Sequence, residues 1–154
     1  MTTEQTAGAL LCTFRLADLL FGVDVRDVQE VLRHAEITPV PHAAPAVAGL
    51  INLRGQIATT IDLRTRLALD SIELEGGPMH VVVRAAGEPV SLLVDRIGDV
   101  LSVDHEDYEP PPVTIDPAVA ELIVGTYKLE EELLLVVDVA RVVETHVTQG
   151  EEAA

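Results

Sequence analysis

Three aspartates each follow the apolar run of a predicted strand: Asp62 after Ile57–Ile61, Asp95 after Val90–Val94, and Asp138 after Leu133–Val137. Carboxylates that converge in a cleft can do general acid–base work, so one reading of the chain is a small hydrolase or ligand-binding barrel built on these residues. The other is structural, because an aspartate at a strand end commonly closes a turn or caps a helix. A cleft decides between them. An enzyme needs convergent polar groups and perturbed carboxylates in a deep pocket, whereas an adaptor presents shallow apolar grooves rimmed by charge.

Other chemistry has little support. The five histidines, His34, His42, His80, His105 and His146, lack the close spacing that places two ligands on one metal. Cys12 is the one cysteine, with no Cys-His signature around it, so it reads as a small core residue. Asp104, Glu106, Asp107 and Glu109 lack the central glycine and closing glutamate of a calcium loop. No phosphate-cradling glycine loop and no nucleophile elbow is present. Neither metal nor cofactor is therefore expected.

The residue that most needs explaining is Arg54, in the run Gly49-Leu50-Ile51-Asn52-Leu53-Arg54-Gly55. Ile51, Leu53, Ile57, Ile61 and Leu63 share odd positions, as one buried sheet face would, and Gly55 marks a tight turn between two strands. A guanidinium beside such a strand is either a solvated edge charge or is held by a specific carboxylate through its planar fork.

The elements that must position these residues are short and strand-rich. Leu10, Cys12, Phe14 and Leu16 alternate, Ala17-Asp18 offers a turn, and Leu19, Phe21, Val23 and Val25 alternate again, which predicts a hairpin. Val28, Val31 and Leu32 then recur at helical spacing and predict a short helix. Pro39, Pro41 and Pro45 predict an extended connector, as does Pro110-Pro111-Pro112. Strands are predicted over His80–Arg84, Val90–Ile97 and Leu133–Val137. Asp116-Pro117 opens a short helix that Gly125 closes, and Val139, Val142 and Val143 stripe a final one. Many short strands with few helices predict an all-β barrel architecture.

Ten Lys and Arg against 26 Asp and Glu leave a formal charge of −16. Such a surface repels a phosphate backbone, so nucleic acid is not an expected partner. An N-terminal signal core and an apolar run long enough to span a bilayer are both missing, which predicts a cytoplasmic protein without membrane insertion. The 154 residues, 48% of them hydrophobic but only 3% aromatic, suffice for a core of Val, Leu, Ile and Ala. Residues 9–147 are read as one domain, with 1–8 and 148–154 as disordered tails.

The Gly49–Gly55 run followed by Ile61-Asp62-Leu63-Arg64 resembles the signature of the CheW family of bacterial chemotaxis coupling proteins. Phe21–Val25 with Val28–Val31, Val94–Leu101 as a middle hairpin, and Gly125 followed by Leu133–Val139 match the family in the same order. Thr59 departs from it, standing where the family usually has proline. The resemblance implies a fold of two intertwined five-stranded SH3-like β-barrels with short helices. It implies a non-enzymatic adaptor that couples methyl-accepting chemoreceptors to the histidine kinase CheA, or a related adaptor of a different kinase pathway. The regulatory domain of CheA and the cytoplasmic tip of a receptor would be the partners, with recruitment to membrane-associated arrays. Carried over position by position, Val28, Glu30, Val31, Gly49, Leu53 and Arg54 would form the receptor surface, and Glu30 and Arg54 an ion pair. The kinase-facing residues stay unassigned.

Overall fold

The computed structural model describes residues 9–70 and 74–143. The tail readings at 1–8 and 148–154 therefore lie outside the described residues. Among the described residues eleven strands run in chain order: β1 (Ala9–Leu16), β2 (Leu19–Asp24), β3 (Val28–Leu32), β4 (Val47–Leu53), β5 (Gln56–Asp62), β6 (Met79–Ala85), β7 (Glu88–Val94), β8 (Arg96–Val103), β9 (Tyr108–Glu109), β10 (Ile123–Lys128) and β11 (Leu133–Val137). Helix α1 (Leu63–Arg66) follows β5, α2 (Pro117–Ala120) precedes β10, and residues 139–143 are helical.

The strands form two sheets, a six-stranded one in the order β8-β1-β2-β11-β10-β9 and a five-stranded one in the order β3-β6-β7-β5-β4. The first draws on both ends of the described chain and encloses the second in sequence. One parallel pairing stitches each sheet, β2 with β11 and β5 with β7. The all-β, SH3-like architecture is thus present; the sixth strand arises because the two-residue β9 adds to the edge of β10. A shared apolar core joins the sheets, with Phe14, Leu16, Phe21 and Val23 from one and Ile61, Val81, Val83 and Leu92 from the other. Phe14 and Phe21 stack at 5.7 Å within it. Smaller clusters lie on the outer faces, around Leu11, Leu20 and Leu134 on the six-stranded sheet and around Ile51, Leu53, Ala58 and Val82 on the five-stranded one.

Several expectations are corrected. Residues 28–32 are strand β3, with only a 3-10 turn at Val25–Asp27 before it. The cause is a bulge: Val28 opposes Val83 and Glu30 opposes Val82, leaving Gln29 extra. A bulge shifts strand parity by one, so Val28 and Val31 take the same side three positions apart and imitate helical spacing. In the hairpin β4–β5, Leu53 pairs with Gln56 and Ile51 with Ala58. A two-residue turn therefore puts odd positions of β4 beside even positions of β5. Ile57 therefore lies off the cluster of Ile51, Leu53 and Ala58, and next to the hairpin end it is 56% exposed, whereas Ile61 farther along the same side of β5 is buried in the shared core.

Leu10 is likewise exposed and Leu11 buried in its place, since β1 covers apolar clusters on both faces. Val90–Ile97 is not one strand, nor is Val94–Leu101 a hairpin: the chain leaves the five-stranded sheet at Asp95 and enters the six-stranded one as β8. Gly125 does not end α2. It lies within β10, where an added Cβ would fall 2.2 to 2.5 Å from Tyr108 atoms, so the aromatic ring covers the glycine.

Candidate functional site

The Arg54-Gly55 turn projects from the end of the five-stranded sheet. Both residues have positive φ, 51° and 92°, as a two-residue hairpin with the right-handed strand twist requires. Glycine adopts this freely; Arg54 does so at a cost of about 1 kcal/mol. Asn52 offsets part of it by accepting a hydrogen bond from the Gly55 N–H through Oδ1 at 2.7 Å. The turn thus holds an arginine in one orientation. Its Nη2 donates to Glu30 Oε2 at 2.7 Å, from the hairpin tip to edge strand β3. The Arg54 side chain is 78% exposed and that of Glu30 17%. One nitrogen makes the contact, leaving the rest of the guanidinium in solvent.

Beneath this pair runs a groove of about 420 Å³, lined by Glu30, Leu32, His34, Ala35, Glu36, Thr38, Asn52, Leu53 and Arg54. Leu32, Ala35 and Leu53 supply its apolar lining among polar side chains, with two carboxylates and one guanidinium. Such a surface suits the apolar stripe of a helix with polar flanks.

Of the six residues carried over from the resemblance, the structure brings Glu30, Leu53 and Arg54 together here. Val31 is 45% exposed and adjacent to Glu30 on β3, so its side chain takes the opposite face. Val28 packs against the shared core. Gly49 is buried with φ +148°, and an added Cβ would sit 2.3 Å from the Thr38 carbonyl oxygen and 2.7 Å from Ile37 Cγ2. The close approach that needs glycine is to this chain's own connector, where Thr38 and Leu50 exchange two backbone hydrogen bonds of 2.8 Å. Sequence reasoning missed Leu32, His34, Ala35, Glu36, Thr38 and Asn52. Only Asn52 carried a signal, as a turn-forming residue directly ahead of Leu-Arg-Gly.

The three strand-end aspartates do not converge. Asp62 caps α1, accepting from Arg64 N at 3.0 Å and Thr65 N at 3.5 Å. Asp138 accepts from Arg141 N at 3.2 Å and pairs with its guanidinium at 3.4 Å. Asp95 receives Arg64 Nε at 2.8 Å and Nη2 at 2.5 Å, plus the Ala17 N–H at 2.8 Å. The Arg64 hydrogen bonds hold its carboxyl below the usual range against the opposing effect of burial. Asp62 and Asp95 both border a small recess of about 80 Å³, but Arg64 lies there too and occupies Asp95 with two hydrogen bonds. Cys12 is buried, which pushes its thiol pKa up. Among the described residues no group of three or more His, Cys, Asp or Glu is placed to hold a metal, and no helix is long and apolar enough to cross a membrane.

The CheW-like domain profile matches residues 10–146. The chain belongs to the CheW-like family. It is 32% identical to chemotaxis protein CheW of Treponema pallidum over 133 residues, covering 84% of this chain and 78% of that one. With chemotaxis protein CheW of Klebsiella aerogenes it shares 28% identity over 137 residues, 89% and 82% of the two chains. A solved structure, the scaffolding protein TtCheW from Thermoanaerobacter tengcongensis, superposes with a TM-score of 0.79 at 29% identity, covering 88% of this chain and 92% of that one. In this CheW-like chain, two parts of the signature run have separate tasks: Asn52, Arg54 and Gly55 shape a groove wall, and Asp62 and Arg64 tie the end of β5 into the fold.

Proposed function

We propose that this chain is a non-enzymatic adaptor that couples methyl-accepting chemoreceptors to the histidine kinase CheA, with residues 9–147 acting as one CheW-like unit. The groove under the Glu30–Arg54 pair carries the reading. It is open and combines the apolar side chains Leu32, Ala35 and Leu53 with charged neighbours, which suits a helical tip with polar flanks. The receptor tip docks there, in contact with Leu53 and Arg54. The regulatory domain of the kinase docks on a separate surface. The protein works in the cytoplasm and reaches the membrane only through receptors.

The mechanism is differential binding. A receptor state that fits the groove better shifts the adaptor and kinase toward the geometry it favours, and the coupling is reciprocal. Affinities on the order of micromolar suffice, since an array multiplies weak contacts. In the test, a receptor-tip fragment is titrated into the adaptor alone and into its complex with the kinase regulatory domain. Binding of both partners to one adaptor molecule, with Arg54→Ala weakening only the receptor fragment, is the expected result. Mutual displacement, or Arg54→Ala leaving receptor affinity unchanged, would overturn the assignment.

A further inference from the structure

Among the described residues the chain passes between the two sheets twice, through residues 25–27 and through Asp95 alone. The second crossing is a single residue between the end of β7 and the start of β8, yet it is held from three directions. Its backbone N–H donates to the Arg15 carbonyl at 3.0 Å on β1. Its carboxylate accepts the Ala17 N–H in the β1–β2 turn and both arms of the Arg64 fork, which comes from α1 behind β5. Arg64 in turn donates from Nη1 to the Asp70 carbonyl, fixing its far side. The two side chains are only 11% and 9% exposed.

The apolar core between the sheets is attractive in many relative placements, because burial has no direction. A bidentate guanidinium–carboxylate contact has one geometry. We propose that Asp95 and Arg64 are positioning residues that lock the crossing between the sheets, fixing where the Glu30–Arg54 groove on the five-stranded sheet stands relative to any surface on the six-stranded one. For the adaptor reading above, on which this consequence rests, the lock sets the angle at which a docked receptor meets a docked kinase. Asp95→Asn removes the charge that orients the fork; Arg64→Lys keeps the charge and removes the fork.

The test needs no partner. Spin labels are placed at Val100→Cys on β8 and Ile57→Cys on β5, both more than half exposed, in a Cys12→Ala background, and the distance distribution is read by pulsed electron resonance beside a thermal melt. The parent gives one narrow peak. The expected result is loss of that single peak in both Asp95→Asn and Arg64→Lys, by broadening or splitting, while each variant still melts cooperatively. Arg64→Lys supplies the reading if Asp95→Asn does not fold. An unchanged narrow peak in the folded variants, with only a lowered melting temperature, would overturn the proposal and reduce the contact to general stabilisation. Failure of the receptor titration with this result intact would overturn the adaptor reading alone.

Discussion

Replacing Gly49 with alanine separates a folding role from a binding role at one position. The added Cβ would lie 2.3 Å from the Thr38 carbonyl oxygen and 2.9 Å from its carbon, where a carbon–oxygen contact normally stands at roughly 3.3 Å or more. Either β4 or the connector must retreat by about 1 Å, which stretches the two 2.8 Å hydrogen bonds between Thr38 and Leu50, each contributing about 1 kcal/mol. The +148° φ adds ~1–3 kcal/mol of backbone strain for any residue with a side chain. The sum is about 4 kcal/mol. At about 3 °C per kcal/mol for a chain of this size, the melting temperature falls by roughly 12 °C. Gly87→Ala is the control, since φ there is +83° but nothing lies within 4 Å of the added carbon; strain alone costs about 1 kcal/mol, or roughly 3 °C. Differential scanning calorimetry of the two variants reads the difference. If Gly49→Ala melts with or above Gly87→Ala while losing receptor affinity, the contact with Thr38 does not limit the site and Gly49 belongs to the docking surface.

A double-mutant cycle on Glu30→Ala and Arg54→Ala should show coupling of no more than ~0.5 kcal/mol in denaturant unfolding, because Arg54 is largely solvated, but clear non-additivity in receptor titration; additivity in both assays would mean the pair does no work. His80 is buried against Ser91 with its pKa lowered from 6.5, by burial first and by His34 second. The unfolded chain therefore binds this proton more readily: the neutral ring's contribution is complete above about pH 6.5 and is lost as pH falls from there through the lowered value. Unfolding at pH 7.5 and 5.5 should accordingly show a stability loss on acidification that shrinks in His80→Gln, and an equal loss in both proteins would refute it. Asp62→Ala removes the cap of α1 and should cost about 1 kcal/mol with no change in partner binding, checked by the same two assays.

The tight turn at Gly55, the strand over 133–137 and the all-β class were legible because glycine placement and β-branched runs are local signals, although Arg54 falls inside the turn and not before it. The errors share another cause. A bulge at Gln29 gave β3 the spacing of a helix, and the tight turn reversed parity between β4 and β5, so Ile57 read as core. Both are consequences of pairing with a partner strand that sequence spacing does not display. The site shows the same division. Glu30 and Arg54 stand 24 positions apart and Arg64 and Asp95 stand 31 apart; the first pair entered through family resemblance, and the second was invisible, its two members assigned to unrelated motifs. What could be read was which residues carried charge at strand ends. Which charge they face is decided by long-range pairing, within the five-stranded sheet for Glu30 and Arg54 and at the crossing between the sheets for Arg64 and Asp95.

That crossing also imposes an order in time. The five-stranded sheet is complete within Val28–Val94, an unbroken stretch, so a chain emerging from the ribosome can pair its strands, groove included, before β8 to β11 are made. The six-stranded sheet cannot follow at once, because β2 waits for its parallel neighbour β11, more than a hundred positions later. Until then β1 and β2 present the apolar side of Phe14 and Phe21 as half of an unfinished core. The pairing of β2 with β11 is thus the longest-range strand contact of the two sheets, the one whose loop-closure entropy weighs most against rapid folding.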